Sequence, residues 1–254
     1  MKRRRLVPIL LVTLLSALAA GSAADAVASG GNRPASAGNL AAKRALEAAA
    51  TRTMRAKSFG MFVLTGANPL PTTAILYEAP DRSIESDYQA TKAGVALETV
   101  TIGSTQYSGL VSGTAEHSLV TTKTDPRYFD DAVLGYLRAL DRLGGVTRHG
   151  QTFTATVAMA HSTMLVSLLF TDNTSNRSVL WVRRAHLVPY EATVRVTVAH
   201  GYVVSEEVTG VGPFDLSTAK VLERRAEVHY YNFDAPLAIA APGPDGLAPP
   251  HLIG

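Results

Sequence analysis

Two segments of the chain repeat apolar residues at steps of three and four, and most of the remainder alternates apolar with polar positions. A few helices and many strands are therefore predicted. The first helical segment runs from Leu40 to about Met54, rich in Ala and Leu, with Asn39 placed to cap it and basic residues near its end, where the helix dipole favours them. The second is better marked. Asp125 caps it, Pro126 fits its first turn, and the run "RYFDDAVLGYLRALDRL" is closed by Gly144 and Gly145. Phe129, Val133, Tyr136, Leu137, Leu140 and Leu143 fall on one side of it, a stripe that must be buried against another apolar layer, most simply a sheet.

Between the two helices the period becomes extended in "SFGMFVLTG", "TTAILYEAP", "RSIESDYQA" and "ALETVTIGSTQYSG", with Gly103-Ser104 suited to a two-residue hairpin turn. After the second helix come "TFTATVA", "SVLWVRR", "YEATVRVTVA", "YVVSEEVTG" and "VLERRAEVHYYNF". "MAHSTMLVSLLF" reads equally as a short buried helix or a strand. In "YEATVRVTVA" Tyr190, Ala192, Val194, Val196 and Val198 share one face and Glu191, Thr193, Arg195 and Thr197 the other, so one side of the sheet is covered and one is wet. Consecutive hairpins give an antiparallel sheet, and the class is α+β.

The N-terminus adds a destination. "MKRRR" is a basic leader and "LVPILLVTLLSALAA" an apolar core of about fifteen residues, signal-peptide length rather than the roughly twenty of a spanning helix. Small residues place the expected cut after Ala23 or Ala26, with an uncut anchor as the alternative. Residues 1–26 are thus read as a secretory signal, 27–38 as a flexible linker, 39–242 as the folded domain and 243–254 as a Pro-rich tail. A cut after Ala23 removes Lys2, Arg3, Arg4 and Arg5 and leaves 20 basic against 21 acidic residues, a charge of −1, and no basic patch with interleaved aromatics follows. Nucleic-acid binding is set aside on that ground. The chain has no cysteine, which removes disulfides, thiolate metal sites and thiol catalysis.

Catalytic patterns are thin. "STAK", Ser217 to Lys220, matches S-x-x-K, but no S-D-N or K-T-G accompanies it, and a turn is the better reading. The seven histidines form no i, i+4 pair. Glu206-Glu207 and Asp130-Asp131 point in different directions as neighbours and read as solvated faces, and Arg183-Arg184 and Arg224-Arg225 place one cation on each side of a strand. No enzyme, cofactor or metal is expected.

The opening "ALEAAATRTMRAKSFGMFVLTG", the "VTIGSTQYSG" hairpin, the capped "YFDDAVLGYLRALDRLGG" and the closing "VHYYNFDAPLAIAAPG" together resemble the exported LolA-like lipid carriers, above all the mycobacterial LprG and LppX type. The resemblance implies a strongly curved antiparallel sheet, a half-barrel, with helices in its concave side and an apolar cavity for acyl chains between them. The chain departs from the lipoprotein members at "LSALAAGSAADA", where no cysteine is available for a lipid. A soluble, monomeric cell-envelope protein is then expected, whose partner is a lipid or an acylated protein and whose membrane surface contact runs through its cargo or an uncut signal. Alternation and bulk select Phe59, Met61, Ile75, Tyr77, Tyr107, Leu137, Met164, Leu168, Trp181 and Val196 as the lining. The rival expectation is an envelope sensor or scaffold of the same fold that binds a protein partner.

Overall fold

The computed structural model describes residues 37–66, 70–88, 95–112, 120–125, 127–158, 165, 168, 169, 191–212 and 222–242. All of them belong to one compact unit. Helix α1 spans Ala37–Met54, so Asn39 lies in its first turn rather than ahead of it. Ala42, Leu46, Ala49, Ala50 and Thr53 form its buried stripe. Six strands follow: β1 (Ser58–Thr65), β2 (Thr73–Glu78), β3 (Arg82–Asp87), β4 (Val95–Ile102), β5 (Thr105–Ser112) and β6 (Val120–Lys123). Gly103 opens the β4–β5 turn at φ +56, as the Gly-Ser pair requires.

The second helical segment is not continuous. A π-helical turn at Phe129–Val133 precedes the short α2 (Gly135–Ala139), and a 3₁₀ turn at Leu140–Arg142 ends it. Leu134 N–H bonds to Phe129 O, five residues back, which inserts one extra residue just before Gly135, a poor helix former. The apolar stripe survives the break: Val133, Leu137, Leu140 and Leu143 are all buried, and Phe129 and Tyr136 pack against the same core. Pro126, expected in its first turn, lies outside the described residues, as does "SVLWVRR".

Strands β7 (Thr147–His149), β8 (Thr152–Ala158), β9 (Glu191–Ala199), β10 (Tyr202–Gly212) and β11 (Leu222–Tyr231) complete one eleven-stranded sheet in the order β6-β5-β4-β3-β2-β1-β11-β10-β9-β8-β7. Each neighbouring pair is antiparallel. The sheet is a meander at both ends with β11 returning beside β1, and β6 and β7 are its outermost strands among the described residues. In "MAHSTMLVSLLF" the described Leu165 and Leu168 are helical and fully buried.

Helices and sheet meet on one face. Phe59, Met61 and Val63 of β1 lie across from Tyr77, Ile75 and Thr73 of β2, and Met61 and Val63 face Tyr230 and Val228 of β11. The row continues through Val208, Val194 and Ala155 and through Val196 and Phe153. With Leu46, Leu137, Leu140, Leu165 and Leu168 these form a single buried cluster. One polar contact fixes α1 on the sheet: Thr53 Oγ1 donates to Ala49 O and accepts from the Val203 N–H of β10, both at 2.9 Å. On the other face Ile239 is buried, and Arg82 donates to its carbonyl at 3.1 Å, so the segment after β11 straps that side.

Among the described residues no helix is long and apolar enough to cross a membrane.

Candidate functional site

The helix-bearing face changes character between β2 and β3. Residues on it in β1, β2 and β8–β11 are mainly aliphatic and aromatic. The register then carries Tyr77 to Ser83 and Thr101, and Ile75 to Glu85, Thr99 and Ser108. Gln106 and Thr122 extend the polar strip toward the β6 edge. Ser83 and Thr101 are sealed, whereas Glu85, Thr99, Gln106, Ser108 and Thr122 are half-buried. Thr99 Oγ1 and Ser108 Oγ share a hydrogen bond at 3.1 Å. A face that is mainly apolar at one end and lined with hydroxyls and a carboxylate at the other can hold a molecule with two unlike ends.

Tyrosines join the two parts. Tyr128, just ahead of the π turn, donates to Glu85 Oε2 at 2.6 Å. Its ring stands edge-on to Phe129, which in turn packs beside Tyr77. In the apolar part Tyr230 donates to Glu206 Oε1 at 2.8 Å, while Glu206 Oε2 has no hydrogen-bond partner among the described residues. Burial pushes Glu206 up to about 7 against the opposing pull of the Tyr230 hydrogen bond. Burial likewise raises Glu85, and Asp87 adds to the shift while Tyr128 offsets part of it. Tyr136 is raised first by burial and then by the charges of Glu85 and Glu206. Three strands, β2, β1 and β11, separate the two carboxyls along the sheet, so they do not form an acid/base pair about one bond.

Seven of the ten proposed lining residues, Phe59, Met61, Ile75, Tyr77, Leu137, Leu168 and Val196, come together in the buried cluster. Tyr107 does not join them: it pairs with Val100 and so stands on the opposite face, because Gln106 and Ser108 are the β5 residues in phase with Thr101 and Thr99. Met164 and Trp181 lie outside the described residues. Glu206 corrects a reading of the sequence. Its neighbour Glu207 is the solvated member of that pair, lying 3.1 Å from Arg225 and 3.6 Å from Arg195, while Glu206 has no exposed surface. A bulge between Val203 and Ser205 shifts the phase of β10, turning Val203, Glu206 and Val208 inward together.

Two hollows formed by described residues flank the C-terminal turns of α1. One of about 560 Å³ is lined by Thr51, Met54, Arg55, Leu134, Arg138, Asp141 and Arg142. A second of about 440 Å³ is lined by Ala48, Thr51, Arg52, Arg55, Ala56, Tyr202 and Asp234. Among the described residues no group of three His, Asp or Glu side chains could hold a metal ion.

No family model matches the chain and no curated protein matches it. Among solved structures it is similar to LprF from Mycobacterium bovis, at 13% identity and a TM-score of 0.49, over 82% of this chain and 98% of that one. A likeness at that level assigns neither ligand nor activity here, and the site stands on its own geometry.

Proposed function

We propose that the protein is a non-enzymatic, extracytoplasmic binding protein that shelters an acyl-bearing amphiphile, a lipid or the acyl chain of a lipoprotein, on the helix-bearing face of its sheet. The observation that supports this reading is the division of that face at the β2–β3 boundary. A tail placed against Phe59, Met61, Ile75, Tyr77, Leu137, Leu168 and Val196 leaves water, at about 0.8 kcal/mol per buried methylene, while a polar head meets Glu85, Thr99, Gln106, Ser108 and the hydroxyl of Tyr128. Met164 and Trp181 belong to the same proposed lining. In this reading the sheet curls as a half-barrel around its helices, and uptake parts the broken helical segment from the sheet.

One observation favours a second reading. Phe59, Met61, Leu137, Leu140, Leu165 and Leu168 already fill the apolar middle with the protein's own side chains, as in a sensor or scaffold that grips a protein partner. Solvent extraction of the purified protein followed by mass spectrometry, with uptake of a fluorescent fatty acid in parallel, separates the two. The carrier reading expects a co-purified lipid and saturable uptake, and the absence of both overturns it. A partner retained from envelope extract irrespective of added lipid then supports the scaffold.

A further inference from the structure

We infer that the outward face of α1 is a docking surface for an anionic lipid bilayer, with the hollow lined by Arg55 and Arg142 receiving a phosphate-bearing headgroup. The inference deepens the carrier reading and rests on it for placing the protein beside a membrane. Its evidence is the distribution of charge and shape on the helical layer.

Residues 37–57 contain Lys43, Arg44, Arg52, Arg55 and Lys57 against Glu47 alone, in a chain that is otherwise slightly acidic once the signal is removed. Glu47 is already engaged by Lys43 at 3.7 Å. While Ala42, Leu46, Ala49, Ala50 and Thr53 face the core, Leu40, Ala41, Arg44, Ala48, Arg52 and Arg55 are exposed on the other side of the helix. Cations from Arg44 to Arg55 therefore line one face over about 16 Å, at 1.5 Å of rise per residue.

The two hollows adjoin at Thr51 and Arg55 on the last turns of α1, the first toward the second helical segment and the second toward Tyr202 and Asp234. The charges around them are not equally free. Arg138 is held by Asp130 at 2.6 Å, and the Arg52 guanidinium lies 4.6 Å over the Tyr202 ring. Asp234 accepts from the Lys57 N–H at 2.7 Å and from Tyr202 Oη at 2.8 Å. Asp141 remains as the acidic member of the wall. The guanidinium groups of Arg55 and Arg142 have no ion-pair or hydrogen-bond partner among the described residues, and both residues are exposed. Two uncommitted guanidinium groups beside the apolar Met54 and Leu134 suit a headgroup phosphate with the first carbons of its lipid. A row of cations continuing along the helix suits many such headgroups in a plane.

Co-sedimentation tests this with the exported form of the protein and vesicles of phosphatidylcholine alone or with about one third phosphatidylglycerol. Binding is expected to the anionic vesicles only, and to weaken as salt rises. Arg55→Ala combined with Arg142→Ala is expected to lower partitioning about thirtyfold, at about 1 kcal/mol per basic residue near the surface, and the corresponding lysine pair to retain most of it. An unchanged urea midpoint shows that the variant folds. Equal binding to neutral vesicles, no binding, or a double variant that binds like the parent overturns the proposal. So does release by inorganic phosphate beyond that by sodium chloride of equal ionic strength, which would mark a free-phosphate site instead. Fatty-acid uptake without vesicles is the separating arm. Lost docking with uptake intact strikes this inference alone, and absent uptake with docking intact strikes the carrier reading alone.

Discussion

Replacing Glu206 by Gln should remove a loss of stability that the fold now suffers as pH rises. Glu206 has no exposed surface, lies between Val196 and Val228 in register, and offers one oxygen to Tyr230 while the other goes without a partner among the described residues. Its carboxyl titrates near 4.5 when unfolded and is pushed up to about 7 by burial. Below the lower value both states are protonated and the residue does no harm. As pH rises through the interval the unfolded chain releases the proton while the folded one keeps it, so stability is lost progressively, and the loss is complete above about 7. At about 1.4 kcal/mol per pH unit the total is about 3 kcal/mol. Glutamine keeps an acceptor for Tyr230 and cannot ionise. Urea unfolding of parent and Glu206→Gln from about pH 5 to about pH 8 should therefore give curves close together at the acid end, with the variant about 3 kcal/mol more stable at the alkaline end. Glu98, pushed up to about 7 by burial, and Glu85 tilt both curves equally, and the difference isolates Glu206. Parallel curves, or a variant that is weaker at about pH 8, would refute the reasoning.

Two further substitutions probe the polar strip and the sheet. Tyr128→Phe deprives Glu85 Oε2 of its 2.6 Å donor and should cost about 1–3 kcal/mol by urea unfolding. The deficit should grow as pH rises through the titration of Glu85, since Tyr128 favours its ionised form, and a pH-independent loss would point to packing alone. Gly60→Ala would set a methyl carbon 2.3 Å from Cζ of the cross-strand Tyr231, forcing that ring aside at about 1–3 kcal/mol. Tyr231→Ala in the same chain should recover most of that loss, and a Gly60→Ala protein as stable as the parent would contradict the close approach.

Much of the architecture was legible because it depends on local period. The β4–β5 hairpin lies where Gly103-Ser104 put it, and β9 keeps the predicted alternation, with Ala192, Val194 and Val196 buried. Arg224 and Arg225 do fall on opposite faces: Arg225 pairs with Glu207 and Glu227, and Arg224 reaches the Leu169 carbonyl. The break in the second helix left no comparable trace, since a π turn preserves the apolar stripe while changing the ladder beneath it.

The site was harder to read for a reason particular to sheets. Strand period assigns residues to two faces but does not say which face is covered, and a single bulge exchanges them. In "YVVSEEVTG" an unbroken alternation from Val203 would turn Glu207 inward, whereas the irregularity between Val203 and Ser205 turns Glu206 inward instead. The same ambiguity hid the polar strip. "RSIESD" offers Ile84 on one face and Ser83 and Glu85 on the other, and hydrophobicity alone would send Ile84 to the helices. The register with Ile75 and Tyr77 does the opposite, and Tyr128 arrives from the helical layer to meet Glu85. A carboxylate enters a covered face only where a partner from a distant part of the chain satisfies it, so the pairing of Glu85 with Tyr128, 43 residues apart, lies beyond any local pattern. That non-local pairing draws the boundary between the apolar and polar parts of the face, and with it the amphiphile proposal.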